Sequence, residues 1–119
     1  MARPENVSPA PMSAMEEIAA RLRSLPVCKR YVPEFGRDVY YHPITPKETA
    51  LIASQVDAGD PIVYWHCETV LQKALDEQGR RLFGNADRAA MRSLPAQAAI
   101  MELSEAMQAR RSFEDAKKN

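Results

Sequence analysis

Cys28, His42, His66 and Cys67 are the side chains in this sequence best suited to ligate a metal or attack a substrate. His66 and Cys67 are adjacent within a stretch of helical spacing. Neighbouring residues on a helix point about 100° apart, so the two cannot close on one ion, and a zinc site is not expected. The expected arrangement is a core cysteine beside a half-exposed histidine. A nucleophile and base made from Cys67 with His42, or Cys28 with His66, would need a tertiary meeting that nothing in the spacing supplies. Asp76-Glu77-Gln78-Gly79 has the acids of a calcium loop. Its glycine stands fourth instead of sixth, however, and no acid closes the twelve-residue frame, so it reads as a tight turn. The glycines Gly36, Gly59, Gly79 and Gly84 are scattered singly, which leaves no phosphate cradle. No metal, no cofactor and no catalysis are expected.

Charge narrows the partners. Lysine plus arginine equals aspartate plus glutamate, 16 of each, so no net field draws the chain to nucleic acid or to an anionic membrane. A short helix at 86–92, a turn at Ser93-Leu94 and a longer helix do have the outline of a helix-turn-helix, with Arg88 and Arg92 nearby. The second helix would offer Gln97, Glu102 and Glu105 to the phosphates and no base before Arg110, which repels DNA. A small DNA-binding regulator is therefore the second reading, and protein binding the first. The two cysteines make no disulfide scaffold and are expected as buried, reduced thiols. No run reaches the roughly 18 apolar residues of a membrane span, and no signal peptide is recognisable, so a cytoplasmic location is expected.

The elements that would position such a binding surface are mostly helical. A proline-rich leader at 1–11 is expected to be mobile, followed by one domain at 12–110 and a polar tail at 111–119. Ser13 and Glu16 form a capping box for a helix at 13–24, with Met15, Ile18, Ala19, Leu22 and Leu25 at helical spacing and Pro26 closing it. Two β-rich runs, Val27 to Val32 and Val39 to Ile44, flank Pro33-Glu34-Phe35-Gly36-Arg37 and predict a hairpin with Gly36 at positive φ. Thr45-Pro46-Lys47-Glu48 puts a cap, a first-turn proline and a capping glutamate in register for a second helix, which carries Leu51, Ile52 and Val56. Gly59 ends that helix.

Asp60-Pro61 repeats the signal for a third helix at 61–75. Its apolar residues, Trp65 among them, cover more than half its circumference and make it central. A turn with Gly79, an apolar anchor at Leu82 and Phe83, and a brief helix capped by Asn85 follow. A last helix starting near Pro95 carries Ala96, Ala99, Ile100, Leu103, Ala106 and Met107 on one stripe. The expected fold is thus mainly α with one β-hairpin, about five helices around one core.

Six methionines in so small a chain suggest adaptable apolar contact. The predicted partner-binding residues are Ile100, Met101, Leu103 and Met107 on the last helix, with Met12 and Met15 at the first. Gly36, Thr45, Glu48, Asp60, Trp65 and Gly79 are predicted as structural positions.

The stretch from Tyr31-Val32-Pro33-Glu34-Phe35-Gly36 through Pro43-Ile44-Thr45-Pro46-Lys47-Glu48 resembles the start of tail assembly chaperones of long-tailed bacteriophages. Asp76-Glu77-Gln78-Gly79-Arg80-Arg81-Leu82-Phe83, Asp87, Leu94-Pro95 and Leu103-Ser104 resemble the second half of that family, so the likeness spans about 27 to 107. The resemblance implies a protein that binds the tape measure protein during tail assembly, needs no ATP, self-associates, works in the host cytoplasm and is absent from the finished virion. The tail tube protein is a further implied partner. It also implies a longer form made by programmed frameshift, for which codons at Lys117-Lys118 are the candidate slip site.

Overall fold

A computed structural model describes residues 13–109. The leader, Met12 and the tail with Lys117-Lys118 lie outside them. Five helices and a two-stranded antiparallel hairpin make an α+β fold in the order α1 (Ala14–Arg23), β1 (Cys28–Val32), β2 (Arg37–Tyr41), α2 (Pro46–Ser54), α3 (Ile62–Lys73), α4 (Arg88–Arg92) and α5 (Gln97–Gln108). A 3-10 turn at Asn85–Asp87 leads into α4.

The hairpin pairs Cys28 with Tyr41 and Val32 with Arg37. Its turn requires Gly36 at φ +68°, where a Cβ would crowd its own carbonyl. Alternation along the strands sends Val32, Val39 and Tyr41 inward. The outer edge of β2 is not left open. Tyr40 and Leu75 exchange both backbone hydrogen bonds, at 3.0 and 2.7 Å, so the segment leaving α3 sits beside the hairpin as a short third rung. The chain then turns back at Asp76, whose Oδ1 accepts from the backbone N–H groups of Gln78 and Arg80, with Gly79 at φ +82°.

The core lies where α3, α5, α4 and the inner face of the hairpin meet, around Val39, Val70, Leu71, Met91, Ile100 and Leu103. Phe35 and Phe83 meet edge to face with centroids 6.2 Å apart at its margin, so the hairpin turn is tied to the anchor segment after α3.

Two predicted caps need correction, and α2 ends at Ser54 with Gln55 as its C-cap, before Val56 and Gly59. Asp60 does not cap α3: the N-cap is Pro61, which has no side-chain bond to offer, and the Asp60 carboxylate instead accepts from the backbone N–H of Asp57, 2.9 Å away. Asn85 likewise does not cap the following turn. There Asp87 reaches back to the N–H of Gly84 at 2.8 Å, while the Asn85 amide oxygen receives Arg81. In both places more than one short acid or amide competes for the same few orphan N–H groups, and local turn geometry decides between them.

Candidate partner-binding surface

Three of the six residues predicted to face a partner are sealed inside the molecule. Ile100, Leu103 and Met107 are each no more than 1% exposed, because the apolar stripe of α5 lies against α3 and the hairpin. This corrects the sequence-based assignment: a stripe of that width on a helix already packed on two sides belongs to the core. Met101, one position off the stripe, is half-buried, with the Gln97 amide 4.0 Å from its sulfur. Met12 is outside the described residues. Met15 alone is fully on the surface.

Met15 is not isolated. It begins a stripe on α1 that continues through Ile18 and Leu22, which are 72%, 53% and 59% exposed respectively, with Ala19 between them. These residues recur at i, i+3, i+4 and i+7, the spacing of a helix built to bury one face. Yet α1 has no buried residue. Its ends are well made: Ser13 Oγ accepts from the N–H of Glu16, the Glu16 carboxylate accepts from the N–H of Ser13, and Ser24 closes the far end. The Ser13 contacts hold the Glu16 carboxyl below the usual glutamate range. The result is a capped, amphipathic helix whose apolar side has no covering within the described chain. A helix of ten residues is marginal in water without packing, and the described residues supply none on its apolar side. Leu25 stays half-buried just past the helix, and Val27 and Tyr31 add exposed apolar surface as the chain enters β1.

A second apolar surface is a shallow cleft of about 340 Å³ lined by Glu34, Phe35, Arg37, Leu82, Phe83 and Leu94. Its aromatic walls also pack on the core, so its apolar lining already has a structural duty.

Among the described residues, most polar groups inside the fold are matched to each other, the exception being Arg92 Nε, which is buried without a hydrogen-bond partner. Glu68, 1% exposed in the middle of α3, receives Arg88 through both oxygens, at 2.7 and 2.8 Å, and Gln72 at 2.7 Å. Burial raises its pKa, but these donors more than offset that, and the carboxyl sits below the ordinary range. Lys73 is buried beside Glu48, with Nζ to Oε1 at 2.8 Å, and the same oxygen accepts the N–H of Thr45 at 2.9 Å. Arg92 lies 4.3 Å from the ring centroid of Tyr64. His66 Nδ1 is 2.8 Å from Ser104 Oγ, the closest approach to a base and nucleophile, but Ser104 is fully buried and also receives the Gln108 amide. Burial pushes the Cys67 thiol up, away from a reactive thiolate, with Arg92 opposing it. Among the described residues, no group of three or more His, Cys, Asp or Glu is placed to hold a metal ion. No helix there is long and apolar enough to cross a membrane.

No protein-family model, curated protein or solved structure matches the chain.

Proposed function

We propose that this chain is a protein-binding chaperone of the phage tail assembly type, which covers apolar helical stripes of a tape measure protein in the host cytoplasm until tail subunits replace it, and which is absent from the finished virion. One observation carries the reading: α1 is a capped amphipathic helix with Met15, Ile18 and Leu22 on its surface and nothing buried. An apolar helix face that the described residues leave uncovered suits docking to another helix or groove. The client in this reading is a long chain with many such stripes, liable to aggregate while bare. Many weak contacts by many copies supply reversible cover through avidity, with no nucleotide needed, and contact between copies adds to it. The tail tube protein is a secondary partner in the same scheme.

The DNA-binding alternative draws less support. Arg88 and Arg92, the bases nearest the candidate helix-turn-helix, are engaged with Glu68 and Tyr64 inside the fold. The exposed side of α5 carries Glu102 and Glu105.

The test is co-expression with a phage tape measure protein, read as the soluble fraction of that client. The wild-type chain is expected to raise it, and the doubly substituted Ile18→Asp/Leu22→Asp chain is expected not to. A client equally soluble with and without the chain would end the proposal.

A further inference from the structure

The hydrogen bonds at Tyr40 fix which edge of the hairpin is open. In an antiparallel pair, residues whose N–H and C=O face the partner strand alternate with residues whose groups face away from it. Tyr40 spends both of its groups on Leu75, outside the hairpin. Its partner across the ladder, Lys29, therefore sits in a pair without mutual bonds, and by the same alternation so does Tyr31 opposite Asp38. The N–H and C=O of Lys29 and Tyr31 point away from β2, and among the described residues no other backbone group bonds them.

Exposure along the strand agrees with this. Lys29, Arg30 and Tyr31 are all exposed, although successive residues of a strand point to opposite faces. A strand wet on both faces at its middle has no neighbour at its side. On β2, by contrast, Val39 is sealed and Asp38 and Tyr40 are half-buried.

The complement of such an edge is another extended backbone, and the side chains beside it say which kind. β1 carries Lys29 and Arg30 and no acid. The ion pair of Arg30 with Glu102 is long, at 4.0 Å, and lies in solvent, so it takes up little of that charge. A second copy of β1 along this edge would bring the bases of both strands together, which repels. The same bases attract acids, and the Tyr31 ring, 58% exposed, packs well on a β-branched neighbour.

We infer that the open edge of β1 takes up an extended, acidic segment of another protein as an added strand, with its acids beside Lys29 and Arg30. This surface is separate from α1. It uses different residues and backbone hydrogen bonds instead of apolar cover, so it stands whether or not α1 has the role proposed above.

The experiment titrates the full chain into a labelled, terminally blocked peptide, Thr-Val-Thr-Glu-Glu-Val-Thr, followed by fluorescence anisotropy, beside an analogue with lysine at both glutamates. Binding of the acidic peptide and not of the basic one is expected. Lys29→Glu and Arg30→Glu made together should weaken the acidic peptide by about tenfold and confer binding of the basic one. Amide hydrogen exchange followed by NMR then separates strand addition from a loose ion pair. The Lys29 and Tyr31 amides should exchange freely in the unbound chain and at least about tenfold more slowly in the bound one, while that of Arg30, already bonded across the hairpin, changes little. Tyr31→Pro deletes an outward N–H without touching a ladder bond and should abolish binding with the fold intact by circular dichroism. No binding of the acidic peptide, equal binding of both peptides, or Lys29 and Tyr31 amides that exchange as fast bound as free would each overturn the inference. If Tyr31→Pro does not fold, the exchange measurement decides alone.

Discussion

Glu68 is the side chain on which the interior most depends. A carboxylate with no exposed surface, bridged by Nε and Nη2 of Arg88, is costly to form but more costly to break on one side. Glu68→Ala is expected to destabilise the fold by about 2–3 kcal/mol, measured by urea unfolding, because the half-buried Arg88 loses both of its charge-assisted hydrogen bonds. The paired change Glu68→Leu/Arg88→Leu is expected to cost clearly less than Glu68→Ala. The carboxyls of Glu68 and Glu48 lie below their ordinary range in the fold, and both therefore bind protons more readily once unfolded. Their contribution is complete above the ordinary glutamate range and declines as pH falls below about 4. A melting temperature flat from neutrality to mild acid and falling below that range is the expected profile. None of this polar interior was legible in the sequence. Glu68 and Lys73 sit in an apolar helix at positions any surface charge would occupy, and only their tertiary partners make burial affordable.

Among the helices and turns, local chemistry is legible in the sequence where one residue has no competitor. Gly36 and Gly79 take positive φ as expected of Gly36, and replacement of either by alanine meets no steric neighbour. The cost of Gly36→Ala is thus backbone strain alone, about 1 kcal/mol in chemical unfolding. The Thr45 and Glu48 capping box also forms as the spacing predicts. Asp60 followed the same signal and failed, since its carboxylate turns back to Asp57 instead of forward into α3. The two positions therefore separate by experiment: Thr45→Ala is expected to cost about 1 kcal/mol, and Asp60→Ala noticeably less, by the same measurement. The spacing predicts the apolar stripe of α5, and the packing gives that stripe to α3 and the hairpin instead of to a partner. Periodicity shows that a face will be covered, and only the packing shows by what.

Over the whole molecule, that ambiguity runs in opposite directions at the two ends of the chain. α5 gives its stripe to the core, while α1 keeps its own outside. Leu103→Ala is accordingly expected to lower stability by about 2–5 kcal/mol. Leu22→Asp, on a helix with nothing buried, is expected to leave the unfolding midpoint within about 0.5 kcal/mol of wild type while abolishing client rescue. A Leu22→Asp chain that unfolds early would place α1 in the fold's own support. Because α1 contributes no buried side chain, its three exposed apolar residues are also shielded from the threshold that folding imposes on mutation elsewhere. In the role proposed above, recognition on this helix can drift to a new client stripe by exchanging those residues alone, with no matching change needed in the core.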